Sequence, residues 1–402
     1  MGICVARQPI FTKGLKVYGY ELFFRNNDVA TSVGEIHRDT ASSETILSSI
    51  QDLGVEKVTN GKRAFINFTE KLILDQIATL LPNSILVIEV TEPIAPTPEI
   101  LANCRKLKEK GYLFAFDDFV VMPGYGDFLP LADIIRIDFT KAPLDMVRRY
   151  MTVAAGKDIT LLAKMLETND DFAMAKSMGF TIFQGKFFCR PVNIETKGRI
   201  ATLKGNCLRL VGLSFDSNID VPEIAEIIKQ DVALSYMLFR VVNSAFFGLN
   251  YTVNNIKQAL TILGLEEIKK WVTLISMSRM TDDKPSELVS MSLTRARFME
   301  LLAPLVGEIP EKDNMFMMGL LSLMDSLMDM TLQELVNKTG ISEEISVPLL
   351  TREGKFGELL SMIISYENSE WDAAQAIAER YGLSMDKVST CYTSAITWAG
   401  II

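Results

Sequence analysis

Short apolar segments recur about every 20 to 30 residues through the first half of the chain, separated by segments with helical periodicity. The predicted strands are 17–24, 64–68, 84–90, 113–119, 133–139, 159–166 and 181–188. Strands that alternate with helices form βα units and a parallel sheet. Seven or eight such units in fewer than 200 residues predict a (β/α)₈ barrel, with an open doubly wound sheet as the alternative.

The strand pattern stops near residue 200, and helical periodicity continues almost without interruption from Asp220 onward. Asp220 and Glu223 resemble a capping box, and Gly264 and Gly340 indicate helix ends. A chain of 402 residues is also too long for one ordinary core. We therefore predict two domains, an α/β barrel over residues 1–197 and an all-α domain over residues 198–402.

Composition narrows the classes of function. The net charge of −9 argues against non-specific nucleic-acid binding, and the single histidine, His37, excludes a multi-histidine metal centre. We interpret His37 as a surface residue. The five cysteines contain no CxxC pair, and no signal peptide or apolar run of roughly 18 residues is present. We expect a cytoplasmic protein with reduced thiols and no membrane partner.

Polar residues recur in or near the C-terminal part of the predicted strands. They are Glu21, Asn67, Glu89, Asp117, Asp118, Arg136, Asp138, Lys164 and Gln184. In a barrel these strand ends meet at one rim, where active sites are built. Strand ends also carry polar residues simply because they meet solvent, but the recurrence over successive strands favours a common site.

The segment LFAFDDF places two adjacent carboxylates, Asp117 and Asp118, at the end of an apolar run. Adjacent acids that lose hydration repel each other, so a neighbouring group must compensate them. Three kinds of neighbour fit this requirement: a metal ion, a basic side chain or water.

The segments that surround these residues resemble a known family. RQPI, GYELFFR, FINFT, IEVTE, FDDF, IRIDF, LLAKMLET and FQGKFF follow the order and spacing of an EAL domain. DVALSYMLFRVVNSAFFG, IKQALTILG and WVTLIS resemble an HDOD domain. The chain is therefore similar to the two-domain EAL–HDOD signalling proteins of bacteria. This resemblance implies a modified (β/α)₈ barrel and a link to cyclic di-GMP, which active members hydrolyse at one phosphodiester bond with two Mg²⁺ or Mn²⁺ ions.

The resemblance also implies roles for particular residues. Glu21, Asn67, Glu89 and Asp117 match ligands of the first metal, and Asp118 matches a ligand of the second. Arg25 matches an arginine that contacts the ligand's phosphate, Gln184 a supporting glutamine, and Glu167 a glutamate that holds the lid loop. Hard divalent cations prefer oxygen ligands, and guanidinium groups suit phosphate.

Several departures from the family pattern argue against catalysis. Lys164 replaces the glutamate that acts on the nucleophilic water, and an ammonium group repels divalent ions. Arg136 replaces a lysine near that water, and the lid segment reads VVMPGYGDF. Lys164 is either a snorkelling surface residue or a cation that neutralises the acids in place of metal.

We therefore expect a cyclic di-GMP-related signalling protein whose barrel is a non-catalytic sensor or scaffold. Its HDOD domain would bind a protein partner or have a regulatory role. The alternative is an active or weakly active phosphodiesterase that uses Mg²⁺ or Mn²⁺. The resemblance also suggests a homodimer. The methionine-rich segments MFMM and LMDSLMDM indicate core packing or, alternatively, a plastic partner-binding face.

Overall fold

The structure is a computed structural model, and it describes most of the barrel and much of the helical part. The described residues are 3–26, 54–91, 94–189, 212, 221–229, 238, 242–243, 253, 255–264, 267–273, 285–328, 330–339 and 341–400. His37, Asp220, Gly340 and the expected domain boundary after residue 197 lie outside these residues.

Eight strands form a closed barrel in chain order. They are β1 (Ile3–Thr12), β2 (Val17–Asn26), β3 (Arg63–Asn67), β4 (Leu86–Val90), β5 (Leu113–Asp117), β6 (Ile134–Asp138), β7 (Thr160–Leu166) and β8 (Ile182–Gly185). β1 runs antiparallel to both β2 and β8, and the other neighbours are parallel. The barrel prediction is confirmed, the open sheet is wrong, and β1 is a strand that the sequence pattern did not reveal.

The barrel is filled by one layer of apolar side chains from most of its strands. This layer comprises Ile10, Phe65, Val87, Ala115, Ile134, Leu162 and Ile182. Side chains two positions apart on a strand point to the same face of the sheet. The residues two positions further along β3 to β8 therefore also point into the barrel, above this layer.

Along the chain, the helices of the barrel connect its successive parallel strands. They are Val55–Val58, Glu70–Leu74, Pro98–Glu109, Leu144–Ala155 and Asn169–Ser177. The helix Pro98–Glu109 shows why the sequence marks these elements clearly: the Thr97 hydroxyl accepts a hydrogen bond from the Ile100 N–H at 3.3 Å, and Pro98 occupies the first turn. Gly111, with φ of +86°, follows its last turn, where a left-handed residue commonly ends a helix.

The C-terminal part of the chain packs on the barrel and belongs to the same compact unit, which comprises residues 1–190, 304–307 and 361–402. The Val5 N–H donates to the Tyr366 hydroxyl at 3.2 Å, and the Cys4 thiol contacts the Met385 carbonyl at 3.6 Å. The helices here are Gly354–Glu367, which enters this unit at Ser361, Trp371–Arg380 and Met385–Ala399. The sequence pattern alone places these residues in the all-α domain, because the packing of residues 361–402 on the barrel has no local signal.

The second compact unit comprises residues 191–303 and 308–360, and its described part is helical. Its helices are Val221–Lys229, Ile256–Leu263, Ser286–Leu302, Lys312–Leu321, Met324–Met328, Leu332–Thr339 and Glu343–Thr351. The absence of a side chain at Gly319 lets two helices approach closely, since a Cβ there would lie 2.5 Å from the Arg295 carbonyl oxygen. No helix among the described residues is long and apolar enough to cross a membrane.

The methionine-rich segments lie in the interior of this helical unit. Met315, Met317, Met318, Met324 and Met328 are all buried, none more than 4% exposed. Their burial supports the interpretation as flexible core filling, and these five side chains present no partner-binding face.

Candidate functional site

A polar layer lies directly above the apolar layer of the barrel. Asn67, Glu89, Asp117, Arg136, Lys164 and Gln184 each follow a residue of the apolar layer by two positions on the same strand. The alternation of strand side chains therefore accounts for their common location. Register adds a further constraint, because Asn67 pairs with Glu89 and Asp117 with Arg136. The structure thus brings together, at one end of the barrel, residues that the sequence distributes over six strands.

Arg136 occupies the centre of this layer. Its Nη2 lies 3.0 Å from Glu21 Oε2, its Nη1 forms an ion pair with Glu89, and its Nε lies 3.7 Å from Asp117 Oδ1. The Arg136 side chain is 4% exposed and that of Glu89 is fully buried. Buried charges are tolerated when oppositely charged groups face them. One guanidinium group therefore supplies the positive charge for three carboxylates.

Lys164 is the second cation of the layer. Its Nζ lies 2.6 Å from Asp117 Oδ2, so it is paired with an acid rather than directed to solvent. A β-bulge between Ala163 and Leu166 interrupts the pairing of β7 with β8, and Met165 within it has φ of +65°. Bulges redirect side chains at barrel rims, which explains how Lys164 reaches across to β5. The expected compensation of the acids is therefore shared, with Arg136 contacting more of them than Lys164.

Gln184 completes the inner layer. Its Nε2 donates a hydrogen bond to Glu21 Oε2 at 2.6 Å and contacts Gln8 Oε1 at 3.4 Å. Gln8 lies opposite Glu21 in the β1–β2 register. No strand-end pattern marks Gln8 as a residue of the site, although it lies within the segment RQPI that carries part of the family resemblance.

The pKa of Asp117 is raised from 3.8 to about 6. Burial of the carboxyl group is the main cause, and the negative charges of Glu21 and Asp118 act in the same direction. The charge and hydrogen bond of Lys164 lower the pKa, but by less than burial raises it. Asp117 is therefore the member of the layer whose charge changes just below neutral pH.

The remaining predicted site residues, including Asn67 of the layer, are not buried. Asn67 and Glu167 are exposed, and Asp118 is half-buried at the start of a 3₁₀ turn, with its carbonyl accepting the Tyr150 hydroxyl at 3.1 Å. The Glu167 N–H donates to the Asp171 carboxylate at 3.2 Å. Arg25 forms an ion pair with Asp372 at 3.0 Å. The sequence carries no local signal for this last contact.

The acids of this layer are the candidate ligands of the divalent metal that the family resemblance implies. A metal would need the oxygens of Glu21, Glu89 and Asp117, but Arg136 lies among these carboxylates. Bringing a divalent cation next to a guanidinium group is electrostatically unfavourable. Within the described part of the chain, no three His, Cys, Asp or Glu side chains are arranged to hold a metal. In this arrangement the residues do not fit the ion.

Comparison with known proteins identifies both parts of the chain. Residues 2–191 match the EAL domain model and residues 200–357 match the HDOD domain model. The chain is 30% identical to the uncharacterized protein YuxH of Bacillus subtilis, over 99% of this chain and 98% of the relative. It is also 30% identical to cyclic di-GMP phosphodiesterase CdgJ of Vibrio cholerae, over 98% of this chain and 92% of the relative.

A solved structure similar to part of the chain is the manganese and cyclic di-GMP complex of Klebsiella pneumoniae BlrP1. It is 20% identical, with a TM-score of 0.36, and the match covers 46% of this chain and 55% of that one. The two domain matches follow one another along this chain, and both relatives align over at least 98% of it. The chain belongs to the family of proteins that join an EAL domain to an HDOD domain.

Proposed function

We propose that this protein acts in cyclic di-GMP signalling through a barrel that does not hydrolyse the dinucleotide. In this proposal the barrel is a sensor or scaffold, and the HDOD domain binds a protein partner. The observation that carries the proposal is the position of Arg136 between Glu21 and Glu89, with Lys164 on Asp117. The cations that balance these acids are supplied by the protein itself.

The chemistry of phosphodiester cleavage supports this proposal. Two-metal hydrolysis needs carboxylates that face the ions, and it needs a group that takes a proton from the attacking water. A protonated lysine at position 164 has no lone pair to accept that proton. At position 136 a guanidinium group replaces the lysine of active enzymes, and a guanidinium group is a poor proton donor in general acid catalysis. Neither basic side chain therefore performs the acid–base steps of hydrolysis.

The same residues remain suited to binding an anionic ligand. Arg25 lies on β2, four residues beyond Glu21, and a guanidinium group binds phosphate oxygens through directed hydrogen bonds. Lys164 and Arg136 neutralise carboxylates at the same end of the barrel, which reduces the repulsion that these acids would exert on an anionic ligand. We therefore include cyclic di-GMP as the proposed ligand of the sensor form. A homodimer and a boundary after residue 197 remain parts of the same proposal.

An active or weakly active phosphodiesterase is the second candidate function. Two observations favour it. A relative that aligns over nearly its whole length is named a cyclic di-GMP phosphodiesterase. In addition, among the described residues the buried atoms Gln184 Oε1 and Asp117 Oδ1 accept no hydrogen bond. Buried acceptors normally have a partner, and a bound cation is one way to satisfy them.

One assay separates the two functions. The full chain is incubated with cyclic di-GMP and either Mg²⁺ or Mn²⁺, while calorimetry follows binding and chromatography follows the linear dinucleotide. We expect no metal-dependent product above background. Binding without product supports the sensor. The absence of both binding and product supports the scaffold. Turnover that requires the metal would overturn the non-catalytic proposal.

A further inference from the structure

The side chain of Arg25 is held by the C-terminal helix Trp371–Arg380. Arg25 Nη2 lies 3.0 Å from Asp372 Oδ1 and 3.2 Å from Gln375 Oε1. The Gln375 amide nitrogen donates to Glu379 Oε1 at 2.8 Å, which leaves its oxygen directed to Arg25. Two acceptors on consecutive turns of one helix therefore face the same guanidinium group.

Buried contacts fix this helix beside β2, the strand that carries Arg25, and its neighbour β1. Trp371 packs edge-on against Tyr366 with ring centroids 5.1 Å apart, and the Tyr366 hydroxyl accepts the Val5 N–H. Val5 is next to Cys4, which lies opposite Arg25 in the β1–β2 register. The position of Asp372 near Arg25 thus follows from packing and does not depend on the ion pair alone.

The two partners differ in how well water can replace the ion pair when it opens. The Asp372 side chain is 96% exposed, whereas that of Arg25 is 18% exposed. Asp372 lies in the first turn of its helix, where a negative charge is favourable in any case. Asp372 is therefore well solvated without Arg25, while Arg25 needs an acceptor. Such a contact is weak and readily exchanged for another anionic acceptor.

We propose that the helix Trp371–Arg380 is a built-in competitor for the anionic ligand of the barrel. A phosphodiester oxygen and the Asp372 carboxylate are alternative acceptors for the Arg25 guanidinium group, so ligand binding at Arg25 displaces the helix contact. By linkage, the factor by which the ligand weakens the contact between Arg25 and the helix equals the factor by which that contact weakens ligand binding. An event that draws the helix away from Arg25 therefore raises ligand affinity. This inference rests on the proposed binding of cyclic di-GMP to the barrel.

The test compares ligand affinity in full-length variants, measured by calorimetry with cyclic di-GMP in EDTA so that no metal-dependent turnover occurs. The combined variant Asp372→Ala/Gln375→Ala removes both acceptors. We expect its dissociation constant to be about two- to fivefold lower than that of the natural sequence, the range that an exposed ion pair accounts for. Asp145→Ala is the matched control, because its side chain is 95% exposed and it also removes one negative charge. It should leave affinity unchanged.

Hydrogen exchange supplies a second measurement. Saturating cyclic di-GMP should speed amide exchange in residues 371–380 of the natural sequence, and Arg25→Ala should do the same without ligand. Equal affinities of the natural sequence and the combined variant, or exchange that ligand leaves unchanged, would overturn the inference. Lack of binding by every variant would overturn it too, while leaving the scaffold proposal intact. Turnover with Mg²⁺ or Mn²⁺ would instead contradict the non-catalytic proposal without changing the affinity comparison in EDTA.

Discussion

Arg136 Nη2 and Glu21 Oε2 lie 3.0 Å apart in the barrel, and neither side chain is more than 6% exposed. These residues are 115 positions apart in the chain, on β6 and β2. The same guanidinium group also pairs with Glu89. Removing one member of a buried ion pair is far more harmful than removing an exposed charge, because the remaining charge stays buried without compensation.

Arg136→Met should therefore destabilise the barrel strongly. We expect the free energy of unfolding to fall by about 3–5 kcal/mol, since the buried carboxylate of Glu89 loses its cation. Urea denaturation followed by circular dichroism measures this change. Arg148→Met is the control, because the Arg148 side chain is 78% exposed and should contribute within about 0.5 kcal/mol. Equal midpoints for the two variants would show that Arg136 does not balance the acids.

Lys164→Glu should increase the affinity of the barrel for divalent ions. The substitution removes the ammonium group from Asp117 and adds an oxygen ligand to the same layer. We expect at least about a tenfold gain in Mn²⁺ affinity, measured by electron paramagnetic resonance of free Mn²⁺. Lys164→Gln, which removes the charge without adding a carboxylate, should give a smaller gain. Unchanged Mn²⁺ binding in Lys164→Glu would show that position 164 does not face the site.

Asp117 should make the barrel less stable as the pH rises from about 4 to about 6. Its pKa is 3.8 when unperturbed and about 6 in the fold, so in this range the folded state holds a proton that the unfolded state has released. Unfolding then releases a proton, and the free energy of unfolding decreases with increasing pH. The contribution is complete below pH 4 and lost above pH 6.

Urea denaturation of the natural sequence and of Asp117→Asn at several pH values tests this sign. The natural sequence minus the variant should give a difference in unfolding free energy that becomes smaller across the window. Lys164→Gln should move the upper limit of the window to higher pH, because Lys164 lowers the pKa of Asp117. A difference that stays constant between pH 4 and 6 would contradict the assignment.

Tyr366→Phe should weaken the attachment of the C-terminal segment to the barrel. Tyr366 is fully buried, and its hydroxyl accepts the Val5 N–H at 3.2 Å. Loss of this acceptor leaves a buried backbone donor unpaired, which costs about 1–3 kcal/mol. Proteolysis under native conditions should release the region after residue 360 more readily. Tyr125→Phe, at a half-buried position, is the control and should have little effect.

The parallel strands of the barrel were predictable because each is a short apolar run with one polar residue near its end. β1 was not predictable in this way, since the segment ICVARQPIFT contains Arg7, Gln8 and Pro9. The structure shows why Arg7 is compatible with a buried strand: its guanidinium group donates to the Val58 carbonyl and stacks over the Tyr20 ring, 4.3 Å from its centroid. Neither Val58 nor Tyr20 is a sequence neighbour of Arg7, so local residue preferences do not reveal these contacts.

The membership of the site was largely predictable, but its pairing was not. Lys164 and Arg136 were both identified as departures from the family pattern, and the structure shows that Arg136 contacts Glu21 and Glu89 while Lys164 contacts Asp117. Which cation meets which acid depends on barrel register and on the bulge in β7, neither of which is marked by local residue preferences. The contact of Arg25 with Asp372 spans an even longer separation.

The helical unit is inserted into the barrel unit along the chain, because residues 361–402 return to the barrel after residues 308–360. The buried face of Met385–Ala399 contributes Met385, Val388, Tyr392 and Ile396. A stop codon that removes the HDOD domain would therefore also strip a supporting helix from the barrel. Such a truncation would therefore alter both compact units, whereas an internal deletion that joins residue 190 to residue 361 would keep residues 361–402 with the barrel.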